Sequence, residues 1–134
     1  MIIVRVTGGL GNQMFQYAMY KSLEKKGKLV KLDSKSFYET KKEHNGYELE
    51  RIFDIKPNKP TKEDLEKFDE NNISTLFKIK RKLFGDKKFV YDTKEYVFNK
   101  DVYKLKNSYL NGYWQSIKYF EGIENDIKKD FQFK

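Results

Sequence analysis

Ile2-Ile3-Val4-Arg5-Val6-Thr7-Gly8-Gly9-Leu10-Gly11-Asn12-Gln13 decides the fold. The first five residues form a short, largely β-branched apolar run, as expected of a buried parallel strand. Three glycines in four positions then break it. From Gln13 the spacing predicts a helix, with Phe15, Ala18, Met19, Ser22 and Leu23 on one face at i, i+3, i+4, i+7 and i+8. Asn12 is the expected N-cap, and Gly27, after Lys25 and Lys26, the expected stop. Lys28–Leu32 reads as a second strand ending at Asp33. Strand, glycine loop, helix and strand make a βαβ unit, whose crossover demands a parallel sheet.

Downstream, Gly46–Phe53 reads as a short element packed on the sheet, and Pro57 and Pro60 punctuate a loop. Thr61-x-x-Asp64 predicts a capping box opening a helix over Thr61–Asp69, with Leu65 and Phe68 inward. Ile73–Phe84 reads as a further helix with a basic face of Lys78, Lys80, Arg81 and Lys82, and Lys88–Phe98 as β-rich. Tyr109–Tyr113 is an expected strand. Ser116–Phe131 is an expected closing helix with Tyr119, Phe120, Ile123, Ile127 and Phe131 inward. The expectation is one α/β domain over 1–134, Rossmann-like and three-layered, with a mostly parallel sheet.

Composition narrows the function. The 134 residues suit one domain. Lys+Arg outnumber Asp+Glu by 28 to 20, a net charge of +8, yet only Arg5, Arg51 and Arg81 are arginine. Phosphate and base readers favour the planar arginine fork, so this lysine excess reads as a solvated surface rather than a nucleic-acid face. The basic segment Lys78–Lys82, with Lys87 and Lys88, reads the same way, or as a peripheral contact with anionic lipid. With no cysteine, disulfides and thiolate metal sites are excluded. The single histidine, His44, excludes a His-rich metal cluster, and no nucleophile-elbow pattern accompanies it. No apolar run approaches the ~18 residues of a membrane helix, and no secretory leader is recognisable, so the expected compartment is the cytoplasm.

The glycine loop is where chemistry is expected. It lies between a strand and a helix, at the edge where doubly wound sheets bind ligands, and the amides of a helix N-terminus attract anions. Gly8, Gly9 and Gly11 allow close backbone approach, and Asn12 and Gln13 could grip a hydroxyl or a phosphate oxygen. The same residues also fit a loop that only turns the chain, with Asn12 only capping. G-G-x-G-N-Q is neither the dinucleotide fingerprint nor a P-loop. Arg5, at an inward-looking position in the first strand, could meet a phosphate or form a structural ion pair.

Ile3–Ala18, containing Thr7-Gly8-Gly9-Leu10-Gly11-Asn12-Gln13-Met14-Phe15-Gln16-Tyr17-Ala18, resembles the opening of the α-1,2-fucosyltransferases, glycosyltransferase family 11. A second block, Tyr109-Leu110-Asn111-Gly112-Tyr113-Trp114-Gln115-Ser116 followed by Lys118-Tyr119-Phe120, is similar to that family's L-x-G-Y-W-Q-S-x-K-Y-F segment. The resemblance implies a GT-B enzyme that moves L-fucose from GDP-fucose to the 2-hydroxyl of a galactoside, with inversion and without a bound metal or other cofactor. The chain would then correspond to the N-terminal half, with the glycine loop facing the cleft.

The family's His-x-Arg-Arg-x-Asp donor motif is missing: Asn45-Gly46-Tyr47 follows His44, and no two arginines are adjacent. Those arginines would neutralise the GDP leaving group, so a C-terminal donor domain or partner chain must supply them, and little or no transfer is expected from this chain alone. Tyr113, Trp114 and Gln115 could face an acceptor sugar, although a lone tryptophan is more commonly a core anchor. No catalytic base is evident, since Asp33 could equally cap the next turn. A non-catalytic carbohydrate- or partner-binding subunit is the alternative, with a basic nucleic-acid-binding domain behind it.

Overall fold

The computed structural model describes residues 1–42, 44–68, 97–134 and, as backbone, 89–91. Four strands form one sheet: β1 (Ile2–Arg5), β2 (Val30–Asp33), β3 (Phe89–Tyr91) and β4 (Ser108–Asn111). Their order is β2-β1-β4-β3, with every neighbouring pair parallel. Parallel neighbours require crossovers, and the expected βαβ start is the first of them. The architecture is α/β, compatible with a Rossmann-like domain.

Helix α1 (Leu10–Lys25) joins β1 to β2. Its Met19 and Leu23 are fully buried with Ile2, Val4, Leu32 and Leu110 in the main core. Burying side chains of this size stabilises by about 1.5–3 kcal/mol each. Ile3 looks the other way and packs with Phe68, Tyr109 and Leu65. Core therefore lies on both faces of the sheet.

Helix α1 starts earlier than periodicity suggests. Gly9, extended at φ −87° and ψ −179°, holds the N-cap position without a side-chain cap, and the Gln13 N–H closes the first turn on the Gly9 carbonyl. Asn12 therefore lies inside the first turn and is not the cap. The stop is as expected: Gly27 has φ +80°, its N–H reaches the Glu24 carbonyl, and the Lys28 N–H reaches that of Leu23. This double closure is the Schellman arrangement.

After β2 come α2 (Ser36–Thr40), α3 (Leu49–Ile52) and α4 (Lys62–Glu66). The capping box at α4 is present: Thr61 accepts from the Asp64 N–H, and Asp64 from the Thr61 N–H. Lys31 also donates to Asp64 at 2.6 Å and holds its carboxyl below the usual carboxylate range. The helix expected over Ile73–Phe84, with its basic face, and the pair Lys87 and Lys88 lie outside the described residues.

The closing segment departs from expectation. Ser116–Phe131 is not one helix but a 3-10 turn, Ile117–Phe120, then helix α5 (Glu124–Asp130). Gly122, at φ +85°, separates them. The aromatic spacing misleads because those residues reach the core from two elements: Tyr119 and Ile123 are buried, whereas Phe120, Ile127 and Phe131 are half-buried. Among the described residues, no helix is long and apolar enough to cross a membrane.

Candidate functional site

The loop after β1 and the loop after β4 leave adjacent strands at the same edge of the sheet. Gly8 takes φ +73°, and a Cβ there would sit 2.7 Å from Asn12 Nδ2, so both conformation and space demand glycine. The Tyr38 hydroxyl donates to the Gly8 carbonyl at 2.8 Å. Burial pushes that phenol up to about 12, which keeps it a neutral donor.

Two glutamines one turn apart on α1 do most of the bracing, and both are 0% exposed. Gln13 Nε2 donates to the Gly8 and Gly46 carbonyls at 3.0 and 2.8 Å, and its Oε1 accepts from the Glu48 N–H at 2.9 Å. Gln16 Nε2 donates to Thr7 Oγ1 and the Gly112 carbonyl, and its Oε1 accepts from the Thr7 N–H. A buried amide so employed costs several kcal/mol to disrupt. Gln13, expected to grip a ligand, instead ties the glycine loop to the 46–48 turn.

Gln115 Nε2 donates to Asn12 Oδ1 at 2.8 Å. With the Gln16–Gly112 bond, this joins two sequence blocks about a hundred residues apart. Trp114 is 1% exposed, packs edge-on against Tyr119 at 5.8 Å and has φ +54°. Its ring is a core anchor, not a surface platform, because the left-handed turn at that residue drives the indole inward. Tyr113 remains half-buried beside it.

Asp33 is buried and committed. Its Oδ2 accepts from the Tyr109 hydroxyl at 2.6 Å, and its Oδ1 accepts from the N–H groups of Lys35 and Ser36 at the start of α2. Burial first, then the Asp33 charge, pushes the Tyr109 phenol up. Arg5 lies opposite Asp33 in the strand register but stacks on Phe37, 5.7 Å from its ring centroid, and its Nε has no hydrogen-bond partner among the described residues. Among the described residues no ion pair joins Arg5 to Asp33, whose oxygens are taken by Tyr109, Lys35 and Ser36.

His44 is the residue that sequence reasoning passed over. Its imidazole lies against Gly9: a Cβ on that glycine would be 3.4 Å from His44 Nδ1 and 3.7 Å from Cε1. Thirty-five positions separate the two in the chain, and the Gln13 brace and the Tyr38–Gly8 bond tie the intervening segment to the glycine loop. The left-handed glycine at Gly46, φ +73°, was the one local sign that this stretch folds back sharply. Beside α1, an apolar groove of about 230 Å³ is lined by Met14, Phe15, Ala18, Phe120 and Phe131.

The edge thus combines an open glycine-rich turn, an exposed imidazole and first-turn amides, an arrangement able to hold a polar ligand and accept a proton from it. No protein-family model, curated protein or solved structure matches the chain.

Proposed function

We propose that this chain is the acceptor-side, N-terminal Rossmann-like half of a GT-B galactoside α-1,2-fucosyltransferase. Gly8, Gly9, Gly11 and Asn12 form its cleft loop. The observation that carries the reading is the junction of the two family-like blocks. Gln115 bonds Asn12 and Gln16 bonds Gly112 at the edge of the sheet where open α/β folds bind ligands. A loop built only to turn the chain has no need of a second block, and the two blocks are the stretches that resemble family 11. Donor is GDP-fucose, acceptor a galactoside, and the arginine pair that stabilises the leaving diphosphate comes from a second domain or chain. The site calls for no metal.

The test is fucosyl transfer from labelled GDP-fucose to methyl β-galactoside, with the chain alone and with a separately produced donor-binding half of a family 11 enzyme. Little product is expected alone, and product above either half is expected from the mixture. Asn12→Ala in this chain should lower that product more than tenfold with about 1 kcal/mol lost in stability, since Asn12 is not the cap and loses only its part-buried bond from Gln115. Failure of complementation, together with no saturable binding of GDP or galactoside, overturns the reading.

A further inference from the structure

We propose that His44 is the proton acceptor of this site, taking the proton from the acceptor sugar's hydroxyl as that oxygen attacks. The inference rests on the glycosyltransferase reading above and adds a catalytic residue to it.

Three observations carry it. First, the imidazole is exposed, and among the described residues no hydrogen bond to either ring nitrogen is present. Its ring lies on Gly9, with Nδ1, Cγ and Cε1 the atoms nearest the place a Cβ would take. Second, the ring is held there at a cost. His44 has φ +55°, a conformation that costs a non-glycine residue about 1–2 kcal/mol. The turn that follows it is tied down by two bonds to the fully buried Gln13, through the Gly46 carbonyl and the Glu48 N–H. Third, the two buried carboxylates around the loop are engaged. Asp33 is saturated by Tyr109, Lys35 and Ser36, and Glu48 pairs with Arg51 at 2.7 Å. Glu43 lies outside the described residues. Imidazole is also the side chain best suited to take a proton near neutral pH.

In the step this assigns, the O–H bond of the galactoside 2-hydroxyl breaks and its proton passes to a ring nitrogen of His44. The oxygen forms a bond to C1 of fucose while the bond from C1 to the β-phosphate oxygen breaks. GDP leaves with that electron pair, and the imidazolium returns its proton to water.

Because His44 is the only histidine, its ring gives a single, unambiguous Cε1–H signal in the NMR spectrum of the full chain. The probes are methyl β-galactoside, its 2-deoxy analogue and GDP. Methyl β-galactoside is expected to move that signal in step with the Gly9 and Gly11 amides. The 2-deoxy sugar is expected to move the amides at least threefold more weakly and leave the ring signal in place. His44→Gln should weaken galactoside binding at least threefold, leave GDP binding unchanged and keep the thermal midpoint within about 2 °C, the side chain being exposed. Loop amides that respond while the ring signal stays still, or equal response to both sugars, overturn the role of His44 and leave the glycosyltransferase reading standing. Amides silent to all three probes overturn both.

Discussion

The loops after β1 and β4 leave neighbouring strands at one edge of the sheet, yet they are held in different ways. After β1 the backbone is conventional except at Gly8, and its position comes from side chains: Gln13, Gln16 and Tyr38 reach carbonyls and amides that no helix or strand uses. After β4 the backbone itself does the work. It turns left-handed at Trp114 and again at Gly122, and aromatic packing on Tyr119 fills the space that results. One loop is clamped by hydrogen bonds, the other folded by dihedral angles and burial.

That contrast can be broken at several points. The largest effect belongs to Gln13→Leu. It leaves the Gly46 carbonyl and the Glu48 N–H without their partner, at about 1–3 kcal/mol for each buried group, and removes one of the two donors to the Gly8 carbonyl. The urea midpoint should fall by more than for any other single change here. An unchanged midpoint would mean the clamp is dispensable. Gly122→Ala should cost about 1–2 kcal/mol. An added Cβ there meets nothing within 4 Å, so the whole cost is backbone conformation at φ +85°. If Gly122→Ala is neutral, the second loop is not dihedral-driven and the comparison fails.

The α4 corner, away from both loops, sharpens the comparison. Thr61→Ala should cost about 1 kcal/mol by removing one arm of the capping box. Asp64 adds a pH signature. Its carboxyl is held low, chiefly by the hydrogen bond from Lys31 and then by the Thr61 N–H. A depressed folded value means this stabilisation is present above the ordinary carboxylate range and lost as the pH falls through the lowered one. Stability should therefore decline from about pH 4 downward, and Asp64→Asn should flatten that slope in urea titrations at successive pH. The smallest effect is Gly11→Ala. Gly11 has an ordinary φ and open space around it, so the stability should rise by no more than about 0.5 kcal/mol.

Much of the framework was legible in advance. The β-branched run, the 3.6-residue period of α1, Gly27 and the Thr61–Asp64 box are local signals, and local signals survive into the fold because backbone hydrogen bonding depends on near neighbours. The site was legible only in part. Gly8 announced itself, since a left-handed turn needs glycine. Gln13 did not, because a glutamine at the start of a helix looks the same whether it faces solvent or three buried backbone groups. Trp114 was read both as a platform and as an anchor, and only its left-handed backbone decided between them. The closing helix was overextended because an i, i+3, i+4 pattern of aromatics persists across a glycine that breaks the chain.

The sequence by itself determined the parallel βαβ start, the glycine loop at the edge of the sheet, the absence of cysteine chemistry and the family-like blocks at either end. Only the tertiary structure decided that those blocks touch, that Gln13 is a brace, that Asp33 is spent and that His44 lies on Gly9. The physical reason is that the deciding contacts join residues 33 to 103 positions apart. Such contacts leave no trace in periodicity and exist only once the sheet has closed and brought its loops to one edge.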